Sequence, residues 1–149
     1  MGQQRGIGLI EVMIALLLTA VGVLGFLAMQ TKALRETQEA YNFSRANLLA
    51  NDLFERMRLN MEVAMAGGYA IEHGGSPPNF PNCQPCSPDQ MRDRDLAQWL
   101  SYVNQQLPDA SARISSVSQT LGPAIIQVEL KLRSESDGQK ISYSFQTRF

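Results

Sequence analysis

From Val12 to Met29 the chain carries a single polar side chain, Thr19. About 18 residues at about 1.5 Å each make a helix of roughly 27 Å, close to the hydrocarbon thickness of a bilayer. Glu11 stands at the start of this run, with Gly6 ahead of it and a lone positive charge, Arg5, before that. The helical period continues past Met29 in a different form. Leu34, Tyr41 and Leu48 recur at sevens, and Leu49, Leu53 and Met57 at fours, with charged residues between them. Asp52 and Arg56 add an i, i+4 pair of opposite sign. Gly67-Gly68 reads as the stop. The pattern predicts one helix over residues 7–66, about 60 residues or about 90 Å. Its first third is apolar apart from Glu11 and Thr19, and Gly22 and Gly25 there would permit close helix approach in lipid. Its second half is amphipathic and has a stripe to lay against something.

Residues 67–87 have a loop composition, with Gly74-Gly75, Pro77-Pro78, Pro81 and Pro85. Ser87-Pro88-Asp89-Gln90 then offers an N-cap, a proline at the first helical position and a capping-box glutamine. Leu96, Trp99, Leu100, Val103 and Leu107 share one face of the helix that follows, and Pro108 ends it. Trp99 is the natural anchor of a core. Asp89, Asp93 and Asp95, interleaved with Arg92 and Arg94, read as a solvated helix start. From Ala112 the period becomes two. Ile126, Val128, Leu130 and Leu132 alternate with polar residues, as do Ile141, Tyr143, Phe145 and Phe149, with Asp137-Gly138 as the hairpin turn between them. A weaker strand covers residues 113–120, and Gly122-Pro123 separates it from the next. The fold class is therefore α+β: a long helix packed on a small antiparallel sheet, with one short extra helix. The sheet can leave its polar face in water. Strand order is left open.

Charge adds an exclusion. The chain has 13 basic and 14 acidic residues, a net charge of −1, and no run of either sign, which argues against nucleic acid as a partner. The N-terminal flank holds Arg5 and no acid, so that end stays cytoplasmic and the remainder is exported. A cleaved secretory signal has an apolar region of about 7 to 15 residues and a small-x-small site after it. Here the run is longer, no such site follows, and Glu11 interrupts it. A plain signal anchor explains the length and Arg5, but not Gly6 and Glu11 together.

Cys83 and Cys86 flank Gln84-Pro85. Two cysteines this close in an exported domain are expected to form a disulfide. A ring so short is worth only about 2 kcal/mol by chain entropy, so its task is local: fixing the proline-rich loop ahead of Pro88. A catalytic C-x-P-C pair needs a strand before it and a helix starting at it. Pro77-Pro78-Asn79-Phe80-Pro81-Asn82 is no strand. These two cysteines and the single histidine, His73, do not complete a four-ligand zinc site. One histidine in a glycine-rich loop makes no Ser-His-Asp triad. The sequence reads as that of a non-enzyme, without catalytic residues, metal, cofactor or small-molecule substrate.

Gly6-Ile7-Gly8-Leu9-Ile10-Glu11-Val12 resembles the class III signal of type IV pilins and type II secretion pseudopilins. That family's pattern is Gly, an apolar residue (usually Phe), then Thr-Leu-Ile-Glu; Ile7 stands here for the Phe and Gly8 for the Thr. The resemblance implies that a prepilin peptidase cuts between Gly6 and Ile7 and methylates the new amino terminus on Ile7. Glu11 becomes the fifth residue of the mature chain and serves subunit assembly. A charge at mid-bilayer costs roughly 2.5 to 3.5 kcal/mol on insertion scales. An ammonium about 4 Å away returns about 4 kcal/mol at an effective dielectric near 20. A neighbouring subunit's free terminus can therefore offset Glu11.

Along the rest of the chain, Ala46-Asn47-Leu48-Leu49-Ala50-Asn51-Asp52-Leu53-Phe54-Glu55-Arg56-Met57-Arg58-Leu59-Asn60 and the Cys-x-x-Cys followed by an Asp-Leu…Trp helix are similar to the PilV family of minor pilins, the type IV pilus modification proteins. The implied organisation is a leader over residues 1–6, a membrane-spanning and filament-core helix over 7–29, its amphipathic continuation over 30–66, and a periplasmic head over 67–149. The implied topology is a single pass through the inner membrane, N-terminus cytoplasmic, with the subunit in the pilus after assembly. The implied partners are other minor pilins and the major pilin, the prepilin peptidase and the pilus assembly platform. The competing readings are a minor pseudopilin of type II secretion and, from another class, a signal-anchored periplasmic thiol redox protein.

Overall fold

A computed structural model of the chain describes residues 8–107, 109–117, 124–133 and 139–149. In order along the chain these form α1 (Leu9–Leu59), α2 (Met61–Met65), α3 (Pro88–Gln106), β1 (Ser111–Val117), β2 (Ile125–Arg133) and β3 (Lys140–Arg148). Two units result, Met1–Gln38 and Glu39–Phe149.

In the first unit the apolar part of α1 is exposed along its whole length, and α1 is long and apolar enough to cross a membrane. Its one hydroxyl is provided for: Thr19 Oγ1 donates to the Ala15 carbonyl at 2.7 Å. In hydrocarbon, where an unmet donor costs several kcal/mol, that local bond leaves no polar debt. Polar character begins at Gln30, and Lys32 pairs with Glu36 at 3.8 Å on the exposed surface.

The second unit holds the core. Ala46, Leu49, Ala50, Leu53, Phe54 and Met57 form the buried face of α1, and they share one cluster with Leu96, Trp99 and Val103 of α3 and with Ile126, Val128, Leu130 and Leu132 of β2. Trp99 is fully buried, and its indole N–H donates to the Leu49 carbonyl at 2.8 Å, joining α3 to α1. Small Ala46 and Ala50 on that face let the helix be approached closely. Two features of the amphipathic stretch differ from the expectation. The positions spaced at sevens are not the buried ones: Leu34 is 70% and Leu48 68% exposed. The helix also does not run unbroken to residue 66. It ends at Leu59, and the short α2 follows Asn60.

The reason for the break is tertiary. The Asn60 amide donates to the Pro88 carbonyl at 2.8 Å and to the Tyr69 hydroxyl at 3.2 Å, and its backbone leaves helical geometry at φ −128°, ψ 49°. Asparagine is a weak helix former, so bonds of this kind outweigh its local preference. The stop at Gly67-Gly68 does hold. Gly67 has φ 79°, its N–H bonds to the Ala64 carbonyl, and the Gly68 N–H bonds to the Val63 carbonyl. This is a Schellman termination, which favours glycine at the left-handed position.

The sheet is a meander in the order β1-β2-β3, both pairs antiparallel. β2 is central and alternates buried with half-buried positions. On the edge strand β3, Tyr143 and Phe145 meet Phe43 of α1 at ring-centroid distances of 5.5 and 5.9 Å. Ile71 bridges Ile114 by two backbone hydrogen bonds and so covers part of the outer edge of β1. Pro108, residues 118–120, Gly122-Pro123 and the Asp137-Gly138 turn lie outside the described residues.

Candidate functional site

Glu11 lies in the first turn of α1, in the first unit. The helix begins immediately after Gly8, whose carbonyl accepts from the Glu11 N–H at 3.0 Å. A carboxylate in a first turn suits the helix dipole. No hydrogen-bond or ion-pair partner for its side chain occurs among the described residues, and apolar Leu9, Ile10, Val12 and Met13 surround it, all exposed. Gly6 and Ile7, the expected cleavage and methylation positions, lie outside the described residues.

Cys83 and Cys86 are joined by a disulfide, with Cα atoms 4.9 Å apart. The pair sits directly before the α3 cap. Ser87 accepts from the Gln90 N–H at 3.3 Å, and the Gln90 side chain accepts from the Ser87 N–H at 3.0 Å, the reciprocal capping box expected from the sequence. Residues 76–82 contain no strand, so the disulfide lacks the strand that a thioredoxin-type dithiol site requires.

A buried polar network stands nearby. The Tyr69 hydroxyl donates to Asp95 Oδ2 at 3.0 Å while accepting from Asn60. Arg56 lies 3.6 Å from Asp95 Oδ1, bonds Gln98 at 2.8 Å and pairs with Asp52 at 2.9 Å. Burial raises the Tyr69 phenol to about 12; the Asn60 bond opposes this, and the Asp95 charge adds to it. Asp95 is thus not part of a solvated helix start: it is 8% exposed and fully engaged. The network connects the end of α1, the loop at Tyr69 and α3. Its chemistry is structural, because each oxygen and nitrogen named is taken up by another.

His73 reaches the polar face of the sheet. Its Nδ1 is 3.4 Å from Ser111 Oγ and its Nε2 is 3.3 Å from Glu129 Oε2. Ser142 donates to the other Glu129 oxygen at 2.5 Å, and this bond is the main reason the Glu129 carboxyl is held below its ordinary pKa. Serine meets Nδ1 and the acid meets Nε2, the reverse of a hydrolytic triad. Beside it, Arg113 pairs with Glu72 at 3.0 Å. Both contacts tie the loop after α2 to β1 and β2. Sequence reasoning missed this role because nothing local to His73 names its partners.

Comparison with known proteins adds the family. Residues 1–27 match the family model described as the prokaryotic N-terminal methylation motif. Residues 28–97 match the model described as type IV pilin Tt1218. The two segments adjoin, so the motif leads directly into the pilin segment. The long N-terminal apolar helix, three-stranded antiparallel sheet and additional helix are consistent with the α+β fold of type IV pilins. No curated protein and no solved structure matches the chain.

Proposed function

We propose that this type IV pilin-like chain is a minor pilin, close to the PilV group, that takes part in the assembly and priming of a type IV pilus. The observation that carries the reading is Glu11: a carboxylate without a partner among the described residues, in the first turn of a helix whose opening stretch to Met29 is apolar and membrane-length, inside an N-terminal methylation motif. Prepilin peptidase cleaves between Gly6 and Ile7 and methylates Ile7. Before assembly the helix over residues 7–29 resides in the inner membrane, with the head over residues 67–149 in the periplasm. In a filament the helix exchanges lipid for neighbouring apolar helices, at little hydrophobic cost. Glu11 then meets the ammonium of an adjacent subunit, an attraction of about 4 kcal/mol at about 4 Å and a dielectric near 20. The head selects the minor and major pilins and the assembly platform it engages. The disulfide holds the loop before α3 and performs no redox turnover.

Glu11→Gln and Glu11→Ala test the assembly role. Both are expected to leave leader removal largely intact, with methylated Ile7 seen by mass spectrometry of the mature chain. Both are expected to abolish incorporation into sheared filaments. Normal incorporation of either variant refutes the pairing role, and a chain that retains residues 1–6 refutes the processing class. A deletion strain separates the pilus from type II secretion: loss of twitching supports the first, loss of protein export the second. Dithiol reductase activity that Cys83→Ser removes would instead establish a redox enzyme.

A further inference from the structure

The two edges of the sheet differ. Ile71 pairs with Ile114 on the outer side of β1, whereas no backbone bond reaches the outer side of β3 among the described residues. The register identifies the groups left free. The Phe149 N–H donates to the Ala124 carbonyl at 3.1 Å, which makes these two a hydrogen-bonded pair. Such pairs alternate along an antiparallel ladder, so Ile141, Tyr143, Phe145 and Thr147 turn their N–H and C=O groups toward β2. Lys140, Ser142, Ser144, Gln146 and Arg148 turn theirs outward. The protections usual at an open edge are missing. β3 runs nine residues in unbroken register, without proline, and its charges stand only at its two ends. The side chains that could shield it are drawn inward: Ser142 bonds Glu129, and Ser144 and Gln146 bond Gln127. Residues 118–123 and 134–138 join strand ends, and Ser144 stands about four residues, or roughly 14 Å, from either end of β3. Connections that short do not reach it.

The core face beside this edge is open too. Ile126, Val128 and Leu130 of β2 are buried, but Tyr143, Phe145 and Phe149 are only half-buried, and Phe43, which meets the first two rings, is 49% exposed. One more strand would cover this apolar ledge with every second side chain. Arg148 is exposed and has no ion-pair partner among the described residues, and residues 118–123 contain no acid. A carboxylate on the added strand complements it. We propose that β3 takes up a strand from the head of a different pilin subunit, with alternate apolar residues seated on Phe43, Tyr143 and Phe145 and an acid beside Arg148. The inference rests on the assembly reading above. A second copy of this chain does not fit. Antiparallel self-pairing follows a two-fold axis perpendicular to the sheet. That axis sets the two copies of residues 39–59, which lie across the core face, in opposite directions, whereas subunits anchored in one membrane run alike.

The test uses the full chain in neutral detergent. The probe is a fluorescent, strand-length peptide that alternates valine with threonine and ends in glutamate. Saturable binding is expected. The amides of Ser142, Ser144 and Gln146 should exchange hydrogen fast in the free chain and slowly with peptide bound. N-methylation of every second peptide amide should abolish binding in one phase and spare it in the other, which tests the edge bonds without altering the protein. Ser144→Pro removes an outward N–H and no ladder bond, so Tm should be nearly unchanged while affinity falls about tenfold. Arg148→Glu should transfer the preference to a peptide ending in lysine. Amides that stay unprotected, binding that N-methylation spares in both phases, or an unchanged preference in Arg148→Glu each overturns the proposal. Dimerisation of the chain that Ser144→Pro abolishes would overturn it in favour of a second copy. Leader removal and filament incorporation of the Glu11 variants test the assembly reading separately.

Discussion

Asp95 stands four residues before Trp99 and eight before Val103, so its helical register already placed it on the buried face of α3. Its neighbours Arg92, Asp93 and Arg94 suggested a solvated stretch, and the buried position was hidden among them. The partners were not legible at all, because Tyr69 and Arg56 come from other segments. A pH experiment follows from this network. The Tyr69 phenol rises from its ordinary 10.0 to about 12 in the folded chain. Between those values the unfolded chain has released the proton and the folded chain has kept it. The unfolded state then binds fewer protons, so stability falls as pH rises through about 10 to about 12 and is undiminished below that window. The loss is on the order of 3 kcal/mol. Tyr69→Phe should flatten that alkaline limb. It should also cost about 1 to 3 kcal/mol at neutral pH, since Asp95 loses a buried donor. Denaturant melts of both proteins at neutral and alkaline pH measure the two effects, and an identical alkaline slope in Tyr69→Phe would assign it to another group.

Elements were legible where their signals are local. The period of two located the strands, and the Ser87-Pro88-Asp89-Gln90 cap located the start of α3 to the residue. The Gly67-Gly68 stop was equally local, since a left-handed position favours glycine whatever surrounds it. The end of α1 at Leu59 was not, because the bonds that draw Asn60 out of the helix run to Tyr69 and Pro88. Nor was the choice of buried stripe. Positions at fours and positions at sevens both read as helical, and only the packing of α3 and the sheet selected the first. The cap makes a quantitative prediction. Ser87→Ala removes the acceptor for the Gln90 N–H and should cost typically about 1 kcal/mol, within about 0.5 to 2. Gln90→Ala, which removes the other half of the box, should cost less, since it leaves the serine acceptor in place. Thermal melts followed by helical circular dichroism distinguish them, and a larger loss for Gln90→Ala would mean that the glutamine holds something besides the cap.

At the scale of the whole chain, the hydrophobic residues serve two separate ends. Every residue of the buried cluster lies at position 46 or beyond, within Glu39–Phe149, while the large hydrophobic residues from Leu9 to Met29 are exposed. The apolar run was plain from sequence because it needs no partner to be recognised, and the core was plain in outline because its periods are local. The sequence divided the helix after Met29, where polar residues begin, whereas the compact units divide between Gln38 and Glu39, and α1 runs through both. That division implies that residues 39–149 contain all that their fold requires. They retain the α1 face that Trp99 and the sheet pack against, the Leu49 carbonyl that accepts from Trp99, the disulfide and the Asn60–Tyr69–Asp95 network. At about 110 residues the piece is also large enough to support one core. Expressed in an oxidising compartment, it should be soluble without detergent and unfold in one cooperative transition, with Trp99 fluorescence blue-shifted and reddening on denaturation. An aggregated product, or a broad transition without burial of Trp99, would show that the first unit contributes to the fold of the second as well as to its anchoring.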